Sequence, residues 1–183
     1  MKERAGKKKV VLGGNASVIV DRSANIDSAV KRILLGAFAH SGQVCISVQR
    51  IFVHADVMET FLDKFITGAR GPKLGDPLDP ATDIGPMVDE KAAQRTQERV
   101  DEAVAVGGLV LLGGTADGSF FGPTVPMDTP VQAKVCSNEA FAPLVVVFPF
   151  TDLRDAVAEA NRSYFGLQAG IFTDDLANAV RVQ

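Results

Sequence analysis

The hydrophobic residues of this chain follow two alternating patterns. Short runs of β-branched and aromatic residues, typical of strands, are separated by longer segments whose apolar residues recur every three or four positions, as in helices. Strands are predicted at 10–12, 17–21, 46–54, 109–112, 124–127, 144–148 and 167–172, and helices at 25–42, 56–70, 89–106, 151–161 and 174–183. This alternation predicts an α/β fold with a mostly parallel sheet flanked by helices, in a three-layer α/β/α arrangement.

Capping and turn residues set the predicted boundaries. Asn25 is a predicted N-cap, because its short side chain can accept a backbone N–H of the first turn, and Gly42 is predicted to end that helix. Thr151 and Thr173 are predicted to cap the last two helices. Residues 71–86 hold four prolines and three glycines, so this segment is predicted to be an extended surface loop.

Composition and charge then narrow the classes of protein. The 183 residues are 46% hydrophobic, which is enough to bury the core of one domain. A net charge of −3 argues against nucleic acid as a partner, and no apolar run approaches the roughly 18 residues that a membrane helix needs. Two cysteines cannot build a disulfide framework and suggest a reducing compartment, so a cytoplasmic location is expected.

Cys45 is the first candidate for chemistry. It follows Ser41-Gly42-Gln43-Val44 at the junction between a predicted helix and a predicted strand, where a loop side chain is held by rigid elements. A thiol in such a place can attack a carbonyl carbon, provided that its thiolate form is favoured. The position alone leaves open whether Cys45 is a nucleophile or a buried structural cysteine.

Several motifs resemble those of one enzyme family. The string SGQVCISVQR around Cys45 resembles the nucleophile motif of the NAD(P)-dependent aldehyde dehydrogenase superfamily. Other segments agree with the family in order and spacing: LGGNASVIVD at 12–21, LGDPLDPATDIGPM at 74–87, FFGPTV at 120–125, NEAFAP at 138–143 and YFGL at 164–167. The resemblance covers essentially the whole chain, and several motifs in the family's order are far more specific than one. It implies that Cys45 is the nucleophile of a thiol-bearing catalytic domain.

The resemblance also implies a reaction. The Cys45 thiolate adds to an aldehyde, and the oxyanion of the resulting thiohemiacetal is held by the cysteine's own N–H and an asparagine amide. Hydride transfer to NAD or NADP leaves a thioester, which a glutamate-activated water hydrolyses to the carboxylate. The resemblance further implies that Glu139 binds the hydroxyls of the nicotinamide ribose, with Phe141 packed nearby. A solvated surface carboxylate is the alternative for Glu139.

The sequence departs from the family pattern at several positions. The family usually has a glutamate directly before Leu-Gly-Gly, where this chain has Val11, so the general base is either substituted or removed with a two-residue deletion. Asn138 stands where another glutamate is common, and Ala142 where glycine is common. Gly13 and Gly14 either keep the backbone open beside the thiol or form an ordinary turn.

Three family elements have no counterpart in the sequence. There is no glycine-rich strand–turn–helix unit for a dinucleotide, and the C-terminal strand used in subunit contacts is absent, as is the oxyanion asparagine. Residues 1–183 are therefore expected to form a single partial catalytic domain, which by itself neither binds NAD or NADP nor oxidises aldehydes. The full-length parent is expected to be a homo-oligomer acting on a small aldehyde such as glyceraldehyde phosphate or lactaldehyde.

Two alternative functions remain open at this stage. One is a non-catalytic scaffold or assembly domain with the same fold, and the other is an acylating thiol enzyme that passes the acyl group of the thioester to coenzyme A or phosphate.

Several other residues are minor candidates for a function. His40 could assist the thiol or simply cap a helix, and Arg50 could bind an acidic substrate or form a structural pair with another residue. His54 is expected to be exposed, and Cys136 to be a packing residue. No metal site is predicted, because the histidines and cysteines lack short ligand spacings.

Overall fold

A six-stranded sheet forms the centre of the molecule, for which a computed structural model describes residues 13–182. The strands of the sheet are β1 (Ala16–Val20), β2 (Val48–His54), β3 (Leu109–Leu112), β6 (Val125–Met127), β7 (Val146–Phe150) and β8 (Ala169–Phe172), while β4 (Ala116–Asp117) and β5 (Phe120–Phe121) form a separate hairpin. The order in the sheet is β3-β6-β7-β2-β1-β8, and every neighbouring pair is parallel except the antiparallel pair β3–β6. The predicted mostly parallel α/β sheet is confirmed.

Helices cover both faces of this sheet. They are α1 (Ile26–Phe38), α2 (Met58–Arg70), α3 (Glu90–Ala105), α4 (Lys134–Ser137), α5 (Leu153–Asn161) and α6 (Leu176–Arg181), with short 3₁₀ turns at Ala39–Gly42 and Ala55–Val57. Ile51 and Val53 of β2 pack into the core under α1 and α2, whereas Phe52 packs into the core under α5. Successive side chains of a strand point to opposite faces, so the alternation along β2 separates these two cores.

The helix starts agree with prediction at one cap and differ at two. The Asn25 side chain accepts the N–H of Ser28 at 3.0 Å, as predicted. The last two helices are instead capped one and two residues later than predicted, by Asp152 and Asp175 rather than by Thr151 and Thr173. A carboxylate in each case takes the exposed N–H groups of the first turn. The Thr173 hydroxyl donates to the buried Asp21 carboxylate at 2.8 Å instead.

Other differences are local. The proline-rich loop holds only an isolated bridge between Leu74 and Ile84, as a predicted loop should, while the link at 113–122 contains the β4–β5 hairpin. The predicted strand at 144–148 forms two residues later as the interior strand β7, and the predicted strand at 10–12 lies outside the described residues. Within the part of the chain that the structure describes, no helix is long and apolar enough to cross a membrane.

Candidate active site

The thiol of Cys45 lies on a turn between α1 and β2. The turn, residues 43–47 and called here the thiol turn, is closed by a hydrogen bond from the Ser47 N–H to the Val44 carbonyl at 2.9 Å. Cys45 is exposed and forms no disulfide. A buried structural cysteine, the alternative that the sequence left open, therefore does not describe it.

Three side chains anchor the thiol turn and the residues leading into it. The Ser41 hydroxyl donates to the Gly85 carbonyl of the proline-rich loop at 2.7 Å. The Gln43 side-chain oxygen accepts the Val88 N–H at 2.9 Å, and the Ser47 hydroxyl donates to the carbonyl of Ala37 at the end of α1 at 3.2 Å. The exposed thiol is therefore carried by a turn fixed to several elements, which is the support that a reacting group needs.

Backbone strain accompanies this anchoring. Helix α1 ends at Phe38 rather than at Gly42, and His40, Ser41 and Gly42 follow with φ angles of 53°, 58° and 66°. A left-handed conformation costs a residue other than glycine roughly 1–2 kcal/mol. At Gly42 no side chain could fit, because an added Cβ would lie 2.0 Å from the Ala142 carbonyl oxygen. The strained turn thus brings the chain before Cys45 directly against the backbone after Glu139.

Glu139 approaches the thiol turn through two glycines. Its carboxylate is half-buried, and Oε1 accepts the Gly14 N–H at 2.7 Å. A Cβ added to Gly13 would lie 2.6 Å from Glu139 Oε2, and one added to Gly14 would lie 1.7 Å from the Cys45 carbonyl oxygen. The glycines therefore do more than turn the chain: they let the backbone pass between the carboxylate and the thiol turn.

Three polar side chains that sequence reasoning missed hold the segment around Glu139, residues 135–140, called here the glutamate segment. Asn15 donates to the carbonyls of Cys136 and Asn138, Gln49 contacts Val135, Asn138 and Ala140, and Arg99 of α3 donates to the Glu139 carbonyl at 2.7 Å. A signal was present for two of them, because Asn15 and Gln49 are amide side chains directly before or within strands that are mostly apolar.

Phe141 follows the glutamate segment in a left-handed conformation, with φ of 50°. Its side chain is about 40% exposed, and together with Glu139, Gly14 and Val44 it lines a cavity of about 10 Å³. Such a volume holds a water molecule at most. The structure therefore brings Glu139 and Phe141 together with the thiol turn.

Cys136 and Arg50 are both buried in the packed interior of the protein. Burial raises the pKa of the Cys136 thiol to about 12, although the nearby Arg50 charge acts in the opposite direction. Arg50 is itself buried, and its guanidinium donates to the Glu159 and Ala160 carbonyls, both at 3.0 Å. Burial also lowers the pKa of Arg50. Cys136 is therefore a protonated packing residue, and Arg50 is engaged in structural hydrogen bonds rather than open to a substrate.

The two histidines occupy different environments. The prediction that His54 is exposed was wrong: it is buried, its ring packs edge-on against Phe150 at 5.2 Å, and Nδ1 accepts the Asp56 N–H at 3.2 Å. His40 is exposed in the strained turn, where its carbonyl accepts the Gln43 N–H. Among residues 13–182, no three His, Cys, Asp or Glu side chains are grouped so as to hold a metal ion.

With this fold and site, the chain belongs to the aldehyde dehydrogenase family, whose pattern matches residues 1–183. It is 39% identical over 183 residues to the 3-sulfolactaldehyde dehydrogenase of Priestia aryabhattai, and 42% identical over 178 residues to aspartate-semialdehyde dehydrogenase 1 of Pseudomonas canavaninivorans. These matches cover 99% and 96% of this chain but 38% of each relative. The chain thus spans little more than a third of the relatives' length.

Solved structures agree with this assignment. Aldehyde dehydrogenase 21 from Physcomitrella patens, determined with succinate, superposes with a TM-score of 0.92 at 42% identity, over 98% of this chain and 38% of that one. The glyceraldehyde-3-phosphate dehydrogenase GapN of Methanocaldococcus jannaschii, determined with NADP, gives 0.90 at 33% identity, over 93% and 37%. The arrangement of strands and helices is therefore that of the aldehyde dehydrogenases.

Proposed function

We propose that this chain is the thiol-bearing part of a catalytic domain that oxidises an aldehyde to a carboxylate with NAD or NADP, and that Cys45 is its nucleophile. The proposal depends on one observation above all: an exposed thiol stands on an anchored turn that follows three residues of left-handed backbone and lies against Gly14. Strained backbone and exposed nucleophiles held by rigid elements are features that concentrate at active sites.

The first step belongs to Cys45. Its exposed thiol gives its proton to solvent water, and the sulfur forms a bond to the aldehyde carbon while the carbonyl π electrons move to the oxygen, giving a thiohemiacetal oxyanion. By resemblance, the backbone N–H of Cys45 donates to this oxyanion. Ser41, Gln43 and Ser47 fix the thiol turn, so the backbone that carries both this N–H and the sulfur is held in one place.

Glu139 and Phe141 are the proposed contacts to the cofactor. A carboxylate has about four acceptor positions, and one hydrogen bond from Gly14 leaves Glu139 able to accept from ribose hydroxyls, so the residues present fit this role. The half-exposed Phe141 ring offers an apolar surface beside it. The nicotinamide, when bound, supplies the hydride acceptor that oxidation of the thiohemiacetal requires. The dinucleotide-binding unit is not among the motifs of this sequence, so the 183-residue chain alone is not expected to hold the cofactor.

Hydrolysis of the thioester is the step for which this chain lacks an expected residue. Val11, outside the described residues, stands where the family's glutamate base precedes Leu-Gly-Gly, and valine cannot accept a proton. We therefore propose that the chain acylates at Cys45 and deacylates slowly. The same valine favours a second candidate, an acylating enzyme in which coenzyme A or phosphate rather than water takes the acyl group. It equally motivates the scaffold alternative, in which Cys45 performs no chemistry.

The names of the relatives suggest a substrate class. They include enzymes for 3-sulfolactaldehyde, aspartate semialdehyde and, in Escherichia coli, succinate semialdehyde. We propose a small aldehyde that carries an acidic group away from the carbonyl. By resemblance to the family, the whole protein is proposed to be a homo-oligomer, and its two free thiols favour the cytoplasm as its location.

A single-turnover assay tests the role of Cys45. With p-nitrophenyl acetate, the chain is expected to release close to one equivalent of nitrophenolate in a burst and to retain one acetyl group, located on Cys45 by peptide mass spectrometry. The Cys45→Ser variant should show no burst, whereas Cys136→Ser, the matched control, should retain it. A burst that survives in Cys45→Ser, or no burst in the unmodified chain, would overturn the proposal and leave the scaffold reading.

A further inference from the structure

Gln49 is a buried polar residue near the start of the interior strand β2. It lies on β2 next to Arg50 and the apolar run that follows, and its side chain is only 4% exposed. A primary amide offers two N–H donors and one carbonyl acceptor, and a buried amide must satisfy them to avoid a penalty. The buried Gln49 amide therefore needs hydrogen-bond partners within the protein.

All of its partners belong to the glutamate segment. Nε2 donates to the Val135 carbonyl at 2.8 Å and to the Asn138 carbonyl at 2.6 Å. Oε1 accepts the Ala140 N–H at 2.9 Å. One side chain thus binds the backbone directly before and directly after Glu139. Because both flanking peptide groups are held, the Cα of Glu139 is fixed, and its carboxylate is directed to the Gly14 N–H.

The other contacts to this segment reach one side of it or one group only. Asn15 donates to the Cys136 and Asn138 carbonyls, both of which precede Glu139. Arg99 donates to the Glu139 carbonyl from α3, an element that does not carry the thiol. Gln49, in contrast, is four residues after Cys45 on the same continuous stretch of chain. The thiol turn and the residue that holds Glu139 are therefore parts of one short segment.

We propose that Gln49 is a positioning residue of the aldehyde dehydrogenase site, which sets the Glu139 carboxylate against Gly14 and so fixes its place relative to Cys45. This inference rests on the proposed function, which assigns Cys45 as nucleophile and Glu139 to the cofactor ribose. Leucine at position 49 would fill the space but leave the Val135 carbonyl and the Ala140 N–H without this partner. Glutamate would keep the acceptor for Ala140 and oppose two carbonyl oxygens with a carboxylate.

The Gly14 amide provides a direct readout of this placement. In ¹H–¹⁵N spectra of the 183-residue chain, a charge-assisted hydrogen bond to Glu139 should displace the Gly14 proton downfield. Glu139→Gln replaces the charged acceptor by a neutral one and defines the upfield reference position. We expect Gln49→Leu and Gln49→Glu to move the Gly14 resonance by at least half of that difference. The matched control is Gln97→Leu. Gln97 lies on α3 and accepts the Ala116 N–H, which is not part of the glutamate segment, so its replacement should leave the Gly14 resonance unchanged.

A second measurement separates positioning from general destabilisation. Ser41, Gln43 and Ser47 anchor the thiol turn independently of Gln49, so the backbone amides of residues 43–47 should keep their positions in the ¹H–¹⁵N spectrum of Gln49→Glu. An unchanged Gly14 resonance in both Gln49 variants would overturn the inference. Changes in the thiol-turn amides and throughout the sheet as large as the change at Gly14 would also overturn it, because they would show a general loss of structure. If the unmodified chain shows no burst, the assignment of Cys45 fails, while the Gly14 shift still reports separately on Gln49.

Discussion

The two cysteines of this chain occupy opposite extremes of environment. Cys45 is exposed on a turn that three side chains anchor and that follows the strained residues 40–42, whereas Cys136 is 4% exposed beside the buried guanidinium of Arg50. Burial raises the pKa of Cys136 to about 12, so its thiol stays protonated even next to a positive charge. At Cys136, the increase in pKa caused by desolvation is larger than the decrease caused by one neighbouring cation. Exposure on a fixed turn is therefore what distinguishes Cys45 as the candidate nucleophile.

Alkylation should show the largest difference between the two cysteines. At pH 8 a thiol with a pKa of about 12 is ionised in roughly one molecule in ten thousand, and the folded protein also shields Cys136. We expect iodoacetamide to modify Cys45 at least about 100-fold faster than Cys136, measured by peptide mass spectrometry over a labelling time course. In urea the two rates should converge. Equal rates in the folded chain would remove the case for two distinct environments.

Crowding the glycine next to the thiol turn should have the next largest effect. In Gly14→Ala the new Cβ would lie 1.7 Å from the Cys45 carbonyl oxygen, so the thiol turn must shift. Since displacement of a reacting group by about 1 Å can cost up to 100-fold in rate, we expect the nitrophenolate burst to slow by about 10- to 100-fold. Gly166→Ala is the matched control, because an added Cβ there meets no atom within 4 Å. A Gly14→Ala burst as fast as that of the control would contradict this account.

Alkaline pH should lower the free energy of unfolding through Cys136. The folded pKa of Cys136 lies above its unfolded value of 9.0, so above pH 9 the unfolded chain releases a proton that the folded chain retains, and stability falls as pH rises. This thiol should lower the free energy of unfolding by about 1.5 kcal/mol between pH 9 and pH 10.5. Urea unfolding of the unmodified chain and of Cys136→Ala at both pH values isolates the contribution, because other titrating groups are common to both. An identical pH dependence in the two proteins would show that Cys136 is not desolvated.

Much of the fold could be read from local patterns. Six of the seven predicted strands have counterparts in the main sheet or at its edge, and the seventh lies outside the described residues. The Asn25 cap was predictable, because it depends on a side chain and a backbone group three residues apart. The caps at Asp152 and Asp175 were misassigned, since a threonine and an aspartate stand together at each start and only the folded chain shows that Thr173 bonds to Asp21.

The candidate site, like the fold, could be predicted from the sequence only in part. The motif around Cys45 and the segment containing Glu139 were recognisable in the sequence, whereas the contacts that join them were not. Gln49 lies 86 to 91 residues from its partners along the chain, and no local pattern reports such a contact. His54 was misjudged for a related reason. A polar residue at a strand end is commonly exposed, but β2 is an interior strand, and Phe150 of the adjacent strand covers the ring.

Local patterns in the amino-acid sequence were enough to predict the alternation of strands and helices, the family resemblance and the candidate nucleophile, because hydrophobic periodicity and short motifs depend on neighbours along the chain. The folded chain was needed to show that Cys45 is exposed and Cys136 buried, that Gly14 passes between Cys45 and Glu139, and that Gln49 holds the glutamate segment. Solvation and hydrogen bonding of a side chain depend on groups that folding brings close, and these come from segments more than a hundred residues apart in the case of Gly14 and Glu139.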